Sequence, residues 1–319
     1  MSRMASRALH RPVVAIPGTP RALSGPHRRR RAASALVLVA ALATLLAACS
    51  SDSTSSSPDP SDASSQSSTT LSPPTTLAPP TSPETTGPRV ADPAHVPALE
   101  VSEPMTLSDV VVDGQVQVLP GADLVLDHVE VVGSIVFLVE AGQPMTKLHA
   151  DGVRGKEIYA STLSPDGSIL DLEYQGPSSE VAAELVVTNS YFHSPPATPP
   201  THTETIAGFG WIQGARFVDT TIIQQGPNNG TQTATVNWHG ADTVFEGCYF
   251  GWDPSGEPAA WFTVYVSGPR NEVRDSVFEN GGLEGRTGDF YVYPDPDKGG
   301  EPATYTGNLD AFTGAVAGP

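Results

Sequence analysis

Two residues apart stand a histidine and a glutamate, His202 and Glu204, a pair with the chemistry to move a proton. An imidazole titrates near neutrality and a carboxylate gives or takes a proton, so the pair is a candidate acid–base couple or a candidate cation clamp. Asn237 and His239 stand at matching places later in the chain. Trp261, Tyr265, Tyr291 and Tyr293 follow, offering flat apolar faces with polar tips. Arg270 and Arg274 could neutralise an acidic group or act as a base, yet Glu272, Asp275 and Glu279 are close enough in sequence to pair with them. Each set has a bland alternative: a turn or buried carboxylate for Glu204, packing for the rings, surface ion pairs for the arginines.

Those residues take their meaning from a repeat. Leu185–Phe192, Ala215–Ile222, Thr243–Phe250 and Asn271–Phe278 each place an apolar third residue before a small Ser, Thr or Cys, with an aromatic or Ile two positions further on. The small residues Ser190, Thr220, Cys248 and Ser276 recur at steps of 30, 28 and 28. Thr205-Ile206, Thr235-Val236, Thr263-Val264 and Tyr291-Val292 keep the same step. Two phase-locked short strands per period, with no helical spacing between them, predict stacked β repeats. One repeat cannot bury its apolar side alone, whereas stacking buries it continuously and saturates the strand edges.

The strands would stack at about 4.8 Å. Val187, Phe217, Phe245 and Val273 should form one inward ladder, and Phe192, Ile222, Phe250 and Phe278 another. The small residues lie between them, preceded by Asn189, Asp219 and Asp275, types that tolerate left-handed turn geometry. Cys248 falls in that small row and reads as a core residue without a disulfide partner. Leu124–Val131 and Lys147–Val153 continue the pattern upstream, with Val110–Val118 as the opening turn. Parallel strands joined by short turns wind right-handed. The expected fold is therefore an all-β, right-handed parallel β-helix; a β-sandwich would give hairpins rather than a constant register.

Strand parity then sorts the candidates. With Ile206, Val236, Val264 and Val292 inward, the outward rows are Thr205, Thr235, Thr263, Tyr291 and Ala207, Asn237, Tyr265, Tyr293, with Trp261 at a strand start. Glu204 shares the inward parity of Ile206, and Trp238 reads as core. Asp295-Pro-Asp-Lys-Gly299 offers oxygen ligands but lacks the distal Glu of a calcium loop, so it reads as a turn. No cofactor is expected, and calcium has no clear site.

Glu246-Gly-Cys-Tyr-Phe250, Arg274-Asp-Ser-Val-Phe278 and Thr188-Asn-Ser-Tyr-Phe192 resemble the strand motif of the pectate-lyase-like right-handed β-helix superfamily. His202-Thr-Glu-Thr-Ile206 resembles the His-x-Asp-Gly-Ile-Gln segment of a bacterial branch, with Glu204, Thr205 and Ala207 in place of Asp, Gly and Gln. The resemblance spans residues 100–310 and implies a protein that binds or cleaves polysaccharide. The paired Asp and Gly-His-Gly signatures of glycosidases with this fold are absent. The first expectation is therefore polysaccharide binding, with Asn237, His239, Trp261, Tyr265, Tyr291 and Tyr293 as the ligand surface. The alternatives are a polysaccharide lyase or hydrolase using His202, Glu204, Arg270 and Arg274, or a structural envelope protein.

The N-terminal region has another character. Residues 1–49 join Arg28–Arg31 to an apolar run from Ala33 to Ala48, and end in Leu46-Ala47-Ala48-Cys49, which resembles the lipobox of bacterial lipoproteins. The resemblance implies export and lipid modification of Cys49, hence a membrane partner through the anchor. Residues 50–96 are rich in Ser, Thr and Pro and read as a disordered tether, leaving 97–319 as the β domain. The targeting segment holds eight of the 17 Lys and Arg and no acid, so the mature chain carries 9 basic against 35 acidic side chains, a net −26. Such a surface repels nucleic acid and other polyanions.

Overall fold

Alternation of apolar and small or polar residues makes strands here, and the strands stack in parallel. The computed structural model describes residues 77–170, 179–195, 204–224, 232–253, 260–279, 290–291 and 301–318. It is all-β, with the strands in one continuous, mostly parallel sheet. Almost every strand pairs with its counterpart one repeat on: Val187 with Phe217, Phe217 with Phe245, Phe245 with Val273, and Val273 with Tyr305. Phe192, Ile222, Phe250 and Phe278 form a second such row. Ile158, Ile206, Val236 and Val264 form a third. Both expected inward ladders are buried, and their rings stack at the strand spacing. Phe217–Phe245 centroids are 4.7 Å apart and Phe250–Phe278 4.8 Å. Such pairs add roughly 0.5–1.5 kcal/mol beyond burial.

Interior width is matched row by row. Gly155 lies beside Phe192 in register, and a Cβ there would sit 2.7 Å from the Phe192 ring. Gly208 lies beside Trp238, whose ring would be 2.3 Å from an added Cβ. Each glycine leaves room for a large ring from the next repeat.

One corner is built from left-handed residues. Asp109, His128, Gly152, Asn189, Asp219, Gly247, Asp275 and Gly307 all have φ between 47° and 68°. The expectation for Asn189, Asp219 and Asp275 holds, and the row extends through the whole stack. From Asn189 on, the next residue is a small or polar one, Ser190, Thr220, Cys248, Ser276 or Asn308, where the earlier repeats have Val. Three of these side chains bond the backbone of the repeat before: Val153 N donates to Ser190 Oγ, Cys248 N to Ser276 Oγ and Ser276 N to Asn308 Oδ1, each at 3.0 Å. Burial pushes the Cys248 thiol up to about 12, so it stays a neutral core group.

Two expectations are corrected. Residues 110–118 are not the opening turn, because strands Ala94–Val96, Leu99–Val101 and Met105–Ser108 pair ahead of them. Nor does the tether reach residue 96. Leu77 N donates to Ala311 O (2.9 Å) beside the last described repeat. Thr81 is buried, its hydroxyl donating to Ser190 O (2.6 Å) while Thr221 Oγ1 donates to Thr81 O (2.8 Å). Arg154 holds Pro83 O, Gly87 N donates to Gly152 O, and Arg89 pairs with Asp109 at 3.0 Å and Asp127 at 3.1 Å. Residues 77–93 thus form a strap along the left-handed corner, from the last described repeat back to the first. Composition misjudged this segment because a Pro- and Thr-rich stretch can dock through backbone and hydroxyl groups without an apolar face.

Candidate functional site

On the outer side of the third row, strand Arg154–Leu163 lies between Glu130–Glu140 and Ile206–Val218. Ser134 pairs with Glu157, Val136 with Tyr159, and Tyr159 with Ala207. Their side chains, with Glu204, line a cleft of about 210 Å³. Ser134 Oγ donates to Glu157 Oε1. Ile158 N donates to Thr205 O (2.9 Å), which brings Glu204 to the start of the same pairing. Two carboxylates from neighbouring repeats therefore share one cleft, Glu157 half-buried and Glu204 only 8% exposed.

Beside the cleft runs a column of rings. Tyr159 lies 5.6 Å from Phe209, Phe209 stacks on His239 at 5.5 Å with 23° between planes, and His239 meets Tyr265 at 5.0 Å. Exposure falls along the column: Tyr159 and Phe209 are half-buried, while His239 and Tyr265 are 4% and 9% exposed. His239 Nδ1 is 2.6 Å from Ser267 Oγ.

Parity did not predict exposure. Thr205, Thr235 and Thr263 are fully buried rather than solvent-facing. The Thr205 hydroxyl sits 3.0 Å from Ser194 Oγ and 2.8 Å from both Ile223 O and Gln224 Oε1, packed against the ends of neighbouring strands. Asn237, His239 and Tyr265 are likewise buried, so the expected open groove is closed over them. Trp238 is core, as expected. Trp261 lies on strand Ala260–Ser267, and Tyr291 pairs with Tyr265 along the backbone. His202, Tyr293, Cys49 and the Asp295–Gly299 turn lie outside the described residues.

The two arginines stand elsewhere. Arg270, at a turn with φ of 59°, holds Glu180 and Asp242 at 2.9 Å. Arg274 holds Glu246 at 2.9 Å and Glu272 at 3.0 Å on the first row. Neither lines the cleft.

Glu157, Tyr159, Ser134 and Phe209 were missed by the sequence reading. The signal was faint: Tyr159 pairs with Val136 on one side and Ala207 on the other, and neither step matches the late period, so that period does not reach it. A second cleft, of about 370 Å³, is lined by Glu130, Arg154, Lys156 and His193 and carries no aromatic wall beyond that imidazole. There Arg154 pairs with Glu130, and His193 Nε2 lies 3.0 Å from Asp253 Oδ2, off the hydrogen-bonding direction. Asp127, His128 and Asp151 bring three possible cation ligands together, but their oxygens already serve Ser108, Arg89, Thr188 and Asn189. No family model, curated protein or solved structure matches this chain.

Proposed function

We propose that this is an exported lipoprotein, anchored through Cys49, whose repeats wind as a right-handed parallel β-helix and whose outer face binds a polysaccharide at the Glu157–Tyr159–Glu204 cleft. The observation that carries this reading is the half-buried Tyr159 and Phe209 rings beside two carboxylates in one cleft. Sugar rings stack their C–H faces on aromatic planes while their hydroxyls donate to carboxylates. With a net charge of −26 on the mature chain, a neutral glycan is the fitting ligand. The parallel register and short turns support the right-handed winding, and the basic flank, apolar run and Cys49 support the anchor.

A glycan array probed with the mature chain tests it. A neutral glycan should be retained, and Tyr159→Ala or Glu157→Gln should abolish retention at an unchanged melting temperature. Retention indifferent to both substitutions would remove the cleft from the account. The paired carboxylates also favour a second reading, a hydrolase with Glu204 and Glu157 as acid and base. Sugar released from any retained glycan, and lost in Glu204→Gln, would make that reading the correct one.

A further inference from the structure

The strap has a direction, and the direction decides which end of the stack faces the membrane. Leu77 enters beside Ala311, at the last described repeat, and the chain then runs toward the first. Only the segment 50–76 separates Cys49 from Leu77. A leash from a lipid at Cys49 therefore arrives at the 301–318 end.

That end differs chemically from the other. The segment after Leu309 folds back across the last repeat: Asp310 N donates to Ala315 O (2.8 Å), Ala317 N to Asn308 O (2.9 Å), and Leu309 bridges Val316. Asp310 Oδ1 accepts from Phe312 N and Thr313 N, which fixes the turn. On it Phe312 is 43% and Val316 86% exposed, and residues 311–318 carry no charge. Ala78, Pro79 and Pro80 of the strap are exposed and uncharged too. The opposite end exposes Asp92, Glu100, Glu103 and Asp113 beside Val90 and Met105, whereas 301–318 exposes the single acid Glu301. An acidic end is repelled by an anionic bilayer, whereas the uncharged, apolar 311–318 segment can rest in its interface.

We infer that the 301–318 end is a lipid-contacting surface, with Phe312 and Val316 seated in the headgroup region of the bilayer. The inference rests on the Cys49 anchor proposed above. Leashing supplies a high effective concentration, so two shallow apolar contacts suffice to orient the domain. The first repeat and the cleft-bearing strand Arg154–Leu163 then stand further from the bilayer than the last repeat.

The test uses the mature chain, coupled through the Cys49 thiol to a maleimide lipid in phosphatidylcholine–phosphatidylglycerol vesicles. Cys248 is buried and stays unmodified. A photocrosslinking residue is placed by Phe312→p-benzoylphenylalanine or, in a separate chain, Met105→p-benzoylphenylalanine, and lipid adducts are read by mass. Adducts at 312 with none at 105 are expected. Adducts at both alike, at 105 only or at neither would overturn the inference. Phe312→Asp with Val316→Asp, carrying the crosslinker at Ala315, should lose the adduct at an unchanged melting temperature; a retained adduct would overturn the apolar seat. The mass of the Cys49 peptide from the exported protein reads the anchor separately. An unmodified Cys49 would overturn anchor and inference together, and a lipidated Cys49 without the 312 adduct would overturn the inference alone.

Discussion

The early and late repeats solve the same burial problem with different side chains. Between residues 99 and 139 the interior is mainly aliphatic: Val112, Val116, Leu124, Leu126, Val131 and Ile135 are buried, with Phe137 as a buried ring among them. From Phe192 to Phe278 it is largely aromatic, with Phe217, Trp238, Phe245 and Phe250. The register step differs as well. Leu107 pairs with Leu126 and Leu126 with Ala150, shorter steps than those from Val187 to Phe217 and from Phe217 to Phe245. The late interior is filled by rings stacked at the strand spacing. Gly155 and Gly208 each yield space to the ring beside them in register, Phe192 and Trp238.

The sharpest way to test that contrast is truncation on both sides. Phe245→Ala should cost about 3–5 kcal/mol, because the stacked column cannot collapse around the void. Val116→Ala removes two methylene equivalents and should cost about 2 kcal/mol. Denaturant melts giving equal losses would mean that packing does not differ between the halves. Next in size is Gly208→Ala, which drives a methyl into the Trp238 ring and should cost about 3 kcal/mol by overpacking. A Trp238→Leu background should relieve most of that cost, and a double-mutant cycle with no coupling would break the size-matching argument.

The strap gives smaller effects that bear on the early repeats. Thr81→Val deletes the hydroxyl that serves Ser190 O and should lower stability by about 1–2 kcal/mol. Amide exchange at Gly87 should accelerate with it, since both belong to one docked segment. The smallest effect is the pH response of the pin at Asp109. The Arg89 guanidinium, then the Arg89 backbone N–H, hold its carboxyl down from 3.8 to about 2. A depressed carboxylate contributes stability above its unfolded pKa and loses it as pH falls through the folded one. Gly87 protection should therefore weaken between pH 3.8 and about 2, and Asp109→Asn should flatten that response. A profile unchanged by Asp109→Asn would place the acid sensitivity elsewhere.

The all-β class and both inward ladders were readable because apolar period and strand alternation are local signals repeated several times. The left-handed corner was readable at Asn189, Asp219 and Asp275 for the same reason. It was hidden at His128, whose ring instead overlies Gly152, and at Gly247 and Gly307, where the Asp219 and Asp275 carboxylates lean over the glycine of the next repeat. The candidate site was readable only in fragments. Glu204 was found, but its cleft partner Glu157 comes from a repeat whose length departs from the late period. The burial of Asn237, His239 and Tyr265 depends on neighbours that parity does not count.

What the sequence determined by itself is the stack, which residues face inward and where the turns fall, since each follows from residue type at fixed intervals; composition adds how acidic the chain is after residue 49. The tertiary structure alone decided which outward rows meet solvent. It also brought Glu157 to Glu204, and it laid residues 77–93 along the corner from the last described repeat to the first. Contacts as distant in sequence as Tyr159 with Ala207, or Thr81 with Thr221, carry no periodic trace; they exist only once the repeats have stacked and presented a surface to dock on.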